Sequence, residues 1–341
     1  MRQKRILIVR TDRVGDTIMI TPMARELKKT FPDSFIATLT QPENSDIMLN
    51  NPNVDKILTD DLKKETFWNV TSEIRRLKFT HGLLVLPTER AAYQMFLGGV
   101  RKRIMTGKKP YGIITMFNSV YRHNYIPLKH EADYCMDLAR KMGVRTDNIQ
   151  PEIFVTEQEK SQWNEILKSK GASPDDFKIF LHTGSRLSAP NWSEDKYLIL
   201  IKGILDKFRN EKFRLILTAH EMTREFLNKI NELNSPNIIN ISGDITRLRH
   251  LIAAISLADL MVCSSTGPLH IADALDKKCI GIFCHRNMDC AKIWGVLNKK
   301  SINIEVPASY CDTVCSTDKE ECHFEEGIEV KDVLKNIQIK R

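Results

Sequence analysis

Short apolar runs alternate with stretches whose apolar residues recur at helical spacing, and this alternation predicts a parallel α/β protein. In the first half, Arg5-Ile6-Leu7-Ile8-Val9-Arg10, Phe35 to Thr40, Val54 to Leu58 and His81 to Pro87 read as strands. Ile6 to Val9 and Leu83 to Leu86 are unbroken apolar runs, which suits strands covered on both faces. Ile18, Met19, Met23 and Leu27 carry helical spacing through Lys29, with a helix start near Asp16 or near Thr21, because Pro22 is comfortable only in a first turn or at a kink. Trp68 to Leu77 and Glu131 to Met142 read as further helices.

The pattern starts afresh after a polar, charged helical segment flanked by Pro151 and Pro174. Strands are expected at Lys178 to Leu181, Phe213 to Thr218, Ile238 to Ile241, Leu260 to Cys263 and Cys279 to Phe283. Helices are expected from Ser193-Glu194 through Phe208, from Leu248 to Leu257, from Leu269 onward and from Val330 to Ile337. The division expected is residues 1–155 as one α/β domain, 156–175 as a linker helix, 176–327 as a second α/β domain and 328–341 as a C-terminal helix. Pattern alone therefore leads to two parallel-sheet halves with a cleft between them.

Two loops carry candidate chemistry. Ser264-Ser265-Thr266-Gly267-Pro268 joins a strand to a helix, a turn that aims backbone N–H groups and hydroxyls at one spot beside a helix N-terminus, where an anion is favoured. The same residues would also serve as a plain helix cap. Gly15-Asp16 follows the first strand at the carboxyl edge of the sheet, where open α/β folds hold ligands. Asp16 is either a helix cap or a general base. The loop is not Gly-x-Gly-x-x-Gly and gives no support for a dinucleotide fold of the oxidoreductase kind.

At 341 residues, 42% apolar and 28% charged, the chain has the composition of a globular protein of two ordinary domains. A net charge of +8 suits anionic partners, but neither a nucleic-acid motif nor an aromatic-basic repeat is present, so nucleic acid is not expected. No run approaches a membrane span, and the N-terminal apolar run is too short for a signal peptide, so a cytoplasmic protein is expected. Five of the eight cysteines lie among apolar segments, as reduced thiols do; Cys311, Cys315 and Cys322, with His323, fall in a polar segment without a recognised zinc spacing.

Ile6 to Arg10 through Gly15-Asp16 to Thr21-Pro22, then Phe31-Pro32-Asp33, resembles the N-terminal signature of glycosyltransferase family 9, the heptosyltransferases of lipopolysaccharide core assembly. Leu248 to Ala258 with Ser265-Thr266-Gly267-Pro268-Leu269-His270-Ile271-Ala272 resembles that family's C-terminal signature, with His182-Thr183-Gly184-Ser185 between. The resemblance spans nearly the whole chain. It implies a GT-B fold of two Rossmann-like domains facing across a cleft, the first holding the acceptor and the second the nucleotide-sugar, with inversion at the anomeric carbon and no cofactor or required metal. By the same resemblance Asp16 matches the catalytic base. Gly184, Ser185, Arg186, Ser265, Thr266, Gly267, Pro268 and His270 match the donor diphosphate loops, Glu221 the acid on the ribose hydroxyls, and Ile245 an apolar contact near the base of the nucleotide. Arg13, Arg101 and Arg103 are candidates for contact with an anionic glycan or glycolipid acceptor, bound peripherally at the inner membrane face.

Two positions depart from the family pattern. Pro190 stands where members commonly carry a Lys two residues before the Trp, here Trp192, and Ser265 where they carry an acid. The expected donor is ADP-linked heptose. The alternatives are a relative using another nucleotide-sugar or a protein acceptor, and a catalytically inactive scaffold.

Overall fold

Among the described residues, twelve strands, all in parallel pairs, form two separate sheets. They were resolved in a computed structural model that describes residues 3–62, 64–185, 189–219, 221–286, 288–314 and 323–339, with backbone only at 124. Contacts divide the chain into two compact units, Met1–Phe154 and Val155–Arg341.

The first unit holds β1 (Arg5–Val9), β2 (Phe35–Thr40), β3 (Lys56–Thr59), β4 (His81–Leu84), β5 (Lys102–Thr106) and β6 (Asn118–Val120), in the order β3-β2-β1-β4-β5-β6. The second holds β7 (Phe177–His182), β8 (Phe213–Leu217), β9 (Ile238–Asn240), β10 (Leu260–Ser264), β11 (Lys278–Phe283) and β12 (Ile302–Glu305), in the order β12-β11-β10-β7-β8-β9. Counted from each unit's own first strand, both sheets run 3-2-1-4-5-6. The chain leaves its first strand in one direction, then returns to build on the other side, and the crevice at that reversal is where doubly wound sheets take ligands. The reversal falls between β1 and β4 in one unit and between β7 and β10 in the other.

The central strands are buried nearly throughout, so their Ile, Leu and Val side chains pack on both faces, as the unbroken apolar runs require. Several helix starts carry side-chain caps. The Thr156 hydroxyl accepts from Glu159 N–H while Glu159 accepts from Thr156 N–H, and Ser193 accepts from Lys196 N–H. Arg249, buried, donates through Nε and Nη2 to Glu159 at 2.5 and 2.7 Å; this pairing holds Glu159 down at about 2 and ties the helix Glu157–Ser169 to the helix Leu248–Ile255. The helix Glu157–Ser169 thus belongs to the second unit.

The helix after β1 is two helices. Val14–Ile18 ends, and Thr21–Thr30 begins with Pro22 in its first turn. Proline has no N–H to offer the Ile18 carbonyl, and the Thr21 hydroxyl donates to it instead, at 2.8 Å. The helix Val330–Leu334 packs on the helix Glu194–Lys207, where Lys207 donates to the Leu334 and Ile337 carbonyls at 2.7 and 2.9 Å. Among the described residues no helix is long and apolar enough to cross a membrane.

Candidate active site

In the first unit the site is built at the carboxyl end of β1. Arg10, the first residue beyond this apolar strand, is buried with its guanidinium, and burying a cation demands paired anions. Three carboxylates meet it. Nε donates to both Asp12 oxygens at 3.0 and 3.1 Å, Nη1 to Glu131 Oε1 at 2.9 Å, and Nη2 to Asp16 Oδ1. Glu131 comes from the helix Glu131–Arg140 and is held from its other side by Arg122, at 2.8 and 2.9 Å. Burial would raise Glu131, but Arg10 and Arg122 outweigh it and keep its carboxyl below the usual range.

Asp16 ends in the opposite condition. Burial is the largest influence and the charges of Asp12 and Glu131 add to it, so despite Arg10 its pKa rises from 3.8 to about 6. A carboxylate shared with a guanidinium already engaged by two other acids is fixed in place without being held deeply acidic. It is ionised at neutral pH and basic enough to take a proton.

The second unit presents two loops at its reversal point. The pairing of Cys263 with His182 brings the end of β10 beside the end of β7, and with it Ser264-Ser265-Thr266 beside Thr183-Gly184-Ser185. Asn191 links the two loops. Its Nδ2 donates to the Thr183 carbonyl at 2.6 Å, and its Oδ1 accepts from the Ser264 hydroxyl at 2.6 Å and the Tyr197 hydroxyl at 2.8 Å. Thr266 is the extended residue before the helix Gly267–Ala274, which carries Pro268 in its first turn. Its hydroxyl turns back to the Ser264 carbonyl at 3.2 Å, and the Ser265 N–H is bound to the Ile282 carbonyl at 3.1 Å. The His270 ring is buried and lies 5.7 Å from the ring of Trp294. A β-carbon at Gly184 would stand 3.7 Å from Glu221 Oε2, so Glu221 borders the same loop. Ile245 is buried in the connection between β9 and the helix Leu248–Ile255.

Of the expected site residues, Gly184, Ser185, Glu221, Ser265, Thr266, Gly267, Pro268 and His270 thus lie on or beside loops at the carboxyl ends of β7, β8 and β10, and Asp16 at the end of β1. Arg186 lies outside the described residues, as do Cys315 and Cys322. Cys311 packs against the hydrophobic core of the second unit. Arg13 and Arg101 are exposed. Arg103 serves packing in its own unit: its guanidinium donates to the carbonyls of Val100 and Thr115 and lies 5.2 Å over the Phe96 ring. Sequence reading did not single out Arg10, Glu131, Arg122 or Asn191. The one signal for Arg10 was a charge closing the run Ile6 to Val9; nothing local marks the other three.

The sequence profile of glycosyltransferase family 9 (heptosyltransferase) matches residues 94–322. A putative glycosyltransferase of Haemophilus influenzae is 25% identical over 307 residues, which cover 86% of each chain. Among solved structures, a family 9 glycosyl transferase from Veillonella parvula superposes with a TM-score of 0.81 at 19% identity, covering 98% of this chain and 95% of that one. The structure described as E. coli ADP-heptose lps heptosyltransferase II superposes with a TM-score of 0.77 at 18% identity, covering 97% of each chain. These two likenesses establish the shared fold, which is GT-B.

Proposed function

The chain belongs to glycosyltransferase family 9, the heptosyltransferase family, and from that premise we propose that it transfers heptose from an ADP-linked donor to a lipopolysaccharide core or related anionic glycan. The single observation that carries the mechanism is Asp16, fixed by Arg10 and raised to about 6. In this reading Asp16 takes the proton of an acceptor hydroxyl as its oxygen attacks the anomeric carbon, on the face opposite the diphosphate. The bond from that carbon to the diphosphate oxygen breaks, and the configuration inverts. Charge that develops on the departing nucleoside diphosphate is met by the N-terminus of the helix Gly267–Ala274, which Thr266 precedes, and the loop hydroxyls of Ser185 and Ser265, with no metal required. Glu221 holds the ribose hydroxyls and Ile245 packs near the nucleotide base. The reaction is placed in the cytoplasm, at the inner face of the membrane that carries the acceptor. The E. coli relative's description as an ADP-heptose lps heptosyltransferase supports this donor and acceptor.

A second reading, a donor other than ADP-heptose, is favoured by Pro190 and Ser265 in place of the family's Lys and acid. Thermal unfolding against ADP, UDP, GDP and CMP separates the two, since a ligand at 100 times its Kd stabilises by about 2.7 kcal/mol. ADP alone is expected to raise the midpoint, and Asp16→Asn to keep that shift while losing about 10²–10⁴ in transfer rate. A shift by a different nucleotide alone overturns the donor. An active Asp16→Asn removes Asp16 from the base role, and no shift by any nucleotide brings forward an inactive scaffold.

A further inference from the structure

The stretch from Arg90 to His130 contains eight Lys or Arg and no Asp or Glu, although the whole chain averages one acidic residue in eight. Four of the eight are used internally: Arg90 on Asp60, Arg103 on backbone carbonyls, Arg122 on Glu131 and Lys129 on Asp137. Arg101, Lys102, Lys108 and Lys109 are exposed. The same stretch holds the most exposed aliphatic side chains among the described residues of the first unit: Ile113 is 75% exposed, Ile114 63%, Met116 71% and Ile126 75%.

Local geometry draws Lys108, Lys109, Ile113, Ile114 and Met116 onto one loop. Strand β6 is the edge of its sheet, and the chain between β5 and β6 is closed at its base by the Gly107 N–H on the Val120 carbonyl at 2.7 Å. The short helix Pro110–Ile114 and its exit turn sit on this loop, with Phe117 N–H returning to the Gly112 carbonyl at 2.8 Å. Tyr111 anchors the inner side through its hydroxyl on the Pro87 carbonyl at 2.5 Å, which leaves Ile113, Ile114 and Met116 turned outward. The Lys108 ammonium lies 5.4 Å over the ring of half-exposed Tyr121, so cation, aromatic ring and aliphatic tips share one edge.

We propose that this edge of the first unit, with Ile113, Ile114 and Met116 as the inserting tips and Lys108 and Lys109 as the flanking cations, docks on an anionic phospholipid bilayer surface. The proposal deepens the placement at a membrane face given above and rests on that reading for its biological setting, although its test needs no transfer. Protruding aliphatic side chains ringed by cations enter the boundary between acyl chains and anionic headgroups, where apolar burial and Coulomb attraction add. A second copy of this chain is the poorer occupant, because an isologous contact would set the lysines against their own images. An acidic protein would seat anchors in pockets, whereas these side chains are mostly exposed.

The test is co-sedimentation of the full chain with vesicles of phosphatidylcholine alone and with about one third phosphatidylglycerol. The chain is expected to pellet with the anionic vesicles only, and less as salt rises. Lys108→Gln with Lys109→Gln is expected to weaken binding about thirtyfold, from about fivefold per cation near such a surface. Ile113→Ser, Ile114→Ser and Met116→Ser together are expected to weaken it about a hundredfold. Both variants should keep the nucleotide-induced thermal shift, which reports that they are folded. Equal pelleting with neutral vesicles, no pelleting, or an undiminished aliphatic variant overturns the proposal. Loss with the lysine variant alone marks a surface for an acidic macromolecule and overturns insertion. A dimer in light scattering that the aliphatic variant dissolves marks a self-association face and overturns it too. Failure of transfer with pelleting intact counts against the transferase reading and leaves this one standing.

Discussion

Replacing Asp16 by Asn should make the protein more stable relative to wild type as pH rises, and the size of the effect follows from the site. The folded-state pKa of Asp16 is about 6, against 3.8 for an ordinary aspartate. Folding therefore favours the protonated form. Asp16 contributes most to stability below about pH 4, and that contribution is lost as pH rises through about 6. At about 1.4 kcal/mol per tenfold change in proton affinity, ionisation costs the folded state about 3 kcal/mol by pH 7.5. Asparagine keeps the shape, never ionises, and escapes this cost. Urea unfolding of both proteins, following the transition that the substitution moves, measures the difference at pH 4 to 8. The stability difference, variant minus wild type, should climb by about 2.5 kcal/mol across that range, most of it between about pH 4 and 6. A flat difference, or one that falls with pH, would refute the reasoning. It would mean that Arg10 outweighs burial and the repulsion of Asp12 and Glu131, so that Asp16 is an ordinary ion-paired acid. The same shift that costs stability leaves about ten ionised Asp16 side chains for each protonated one at pH 7.

Glu131→Gln removes a negative charge beside Asp16 and lessens the competition for Arg10, so the acid limb of the pH–rate profile should move below about pH 6; an unchanged or raised limb would exclude this coupling. The same substitution unbalances the buried cations Arg10 and Arg122 and should cost about 3–5 kcal/mol in urea unfolding. Asn191→Ala unlinks the Thr183 carbonyl from Ser264 and Tyr197, and nucleotide affinity read from the dose dependence of the thermal shift should fall tenfold or more. Undiminished affinity would show that the two loops keep their shape without it.

Asp16 illustrates how far local pattern reaches. Its place just past a strand, before a helical spacing, was legible from Ile6 to Leu27, and so was the strand, turn and helix around Ser264–Pro268. The stretch from Glu89 to Val120 was not, because β5 opens with Lys102-Arg103 directly after Arg101, and these basic residues hide a strand whose inner end, Ile104 to Thr106, is buried. Apolar spacing and turn residues fix elements over a few residues, since they report which faces meet water. Which strands become neighbours is not local. The placement of β10 beside β7 unites loops about 80 residues apart in sequence, and the placement of the helix Glu131–Arg140 against the end of β1 sets Glu131 on Arg10. The sequence by itself determined the segments and the residue types offered at their ends. Tertiary structure alone decided that three carboxylates share one buried guanidinium, because the pKa of Asp16 depends on burial and on charges contributed from more than 100 residues away.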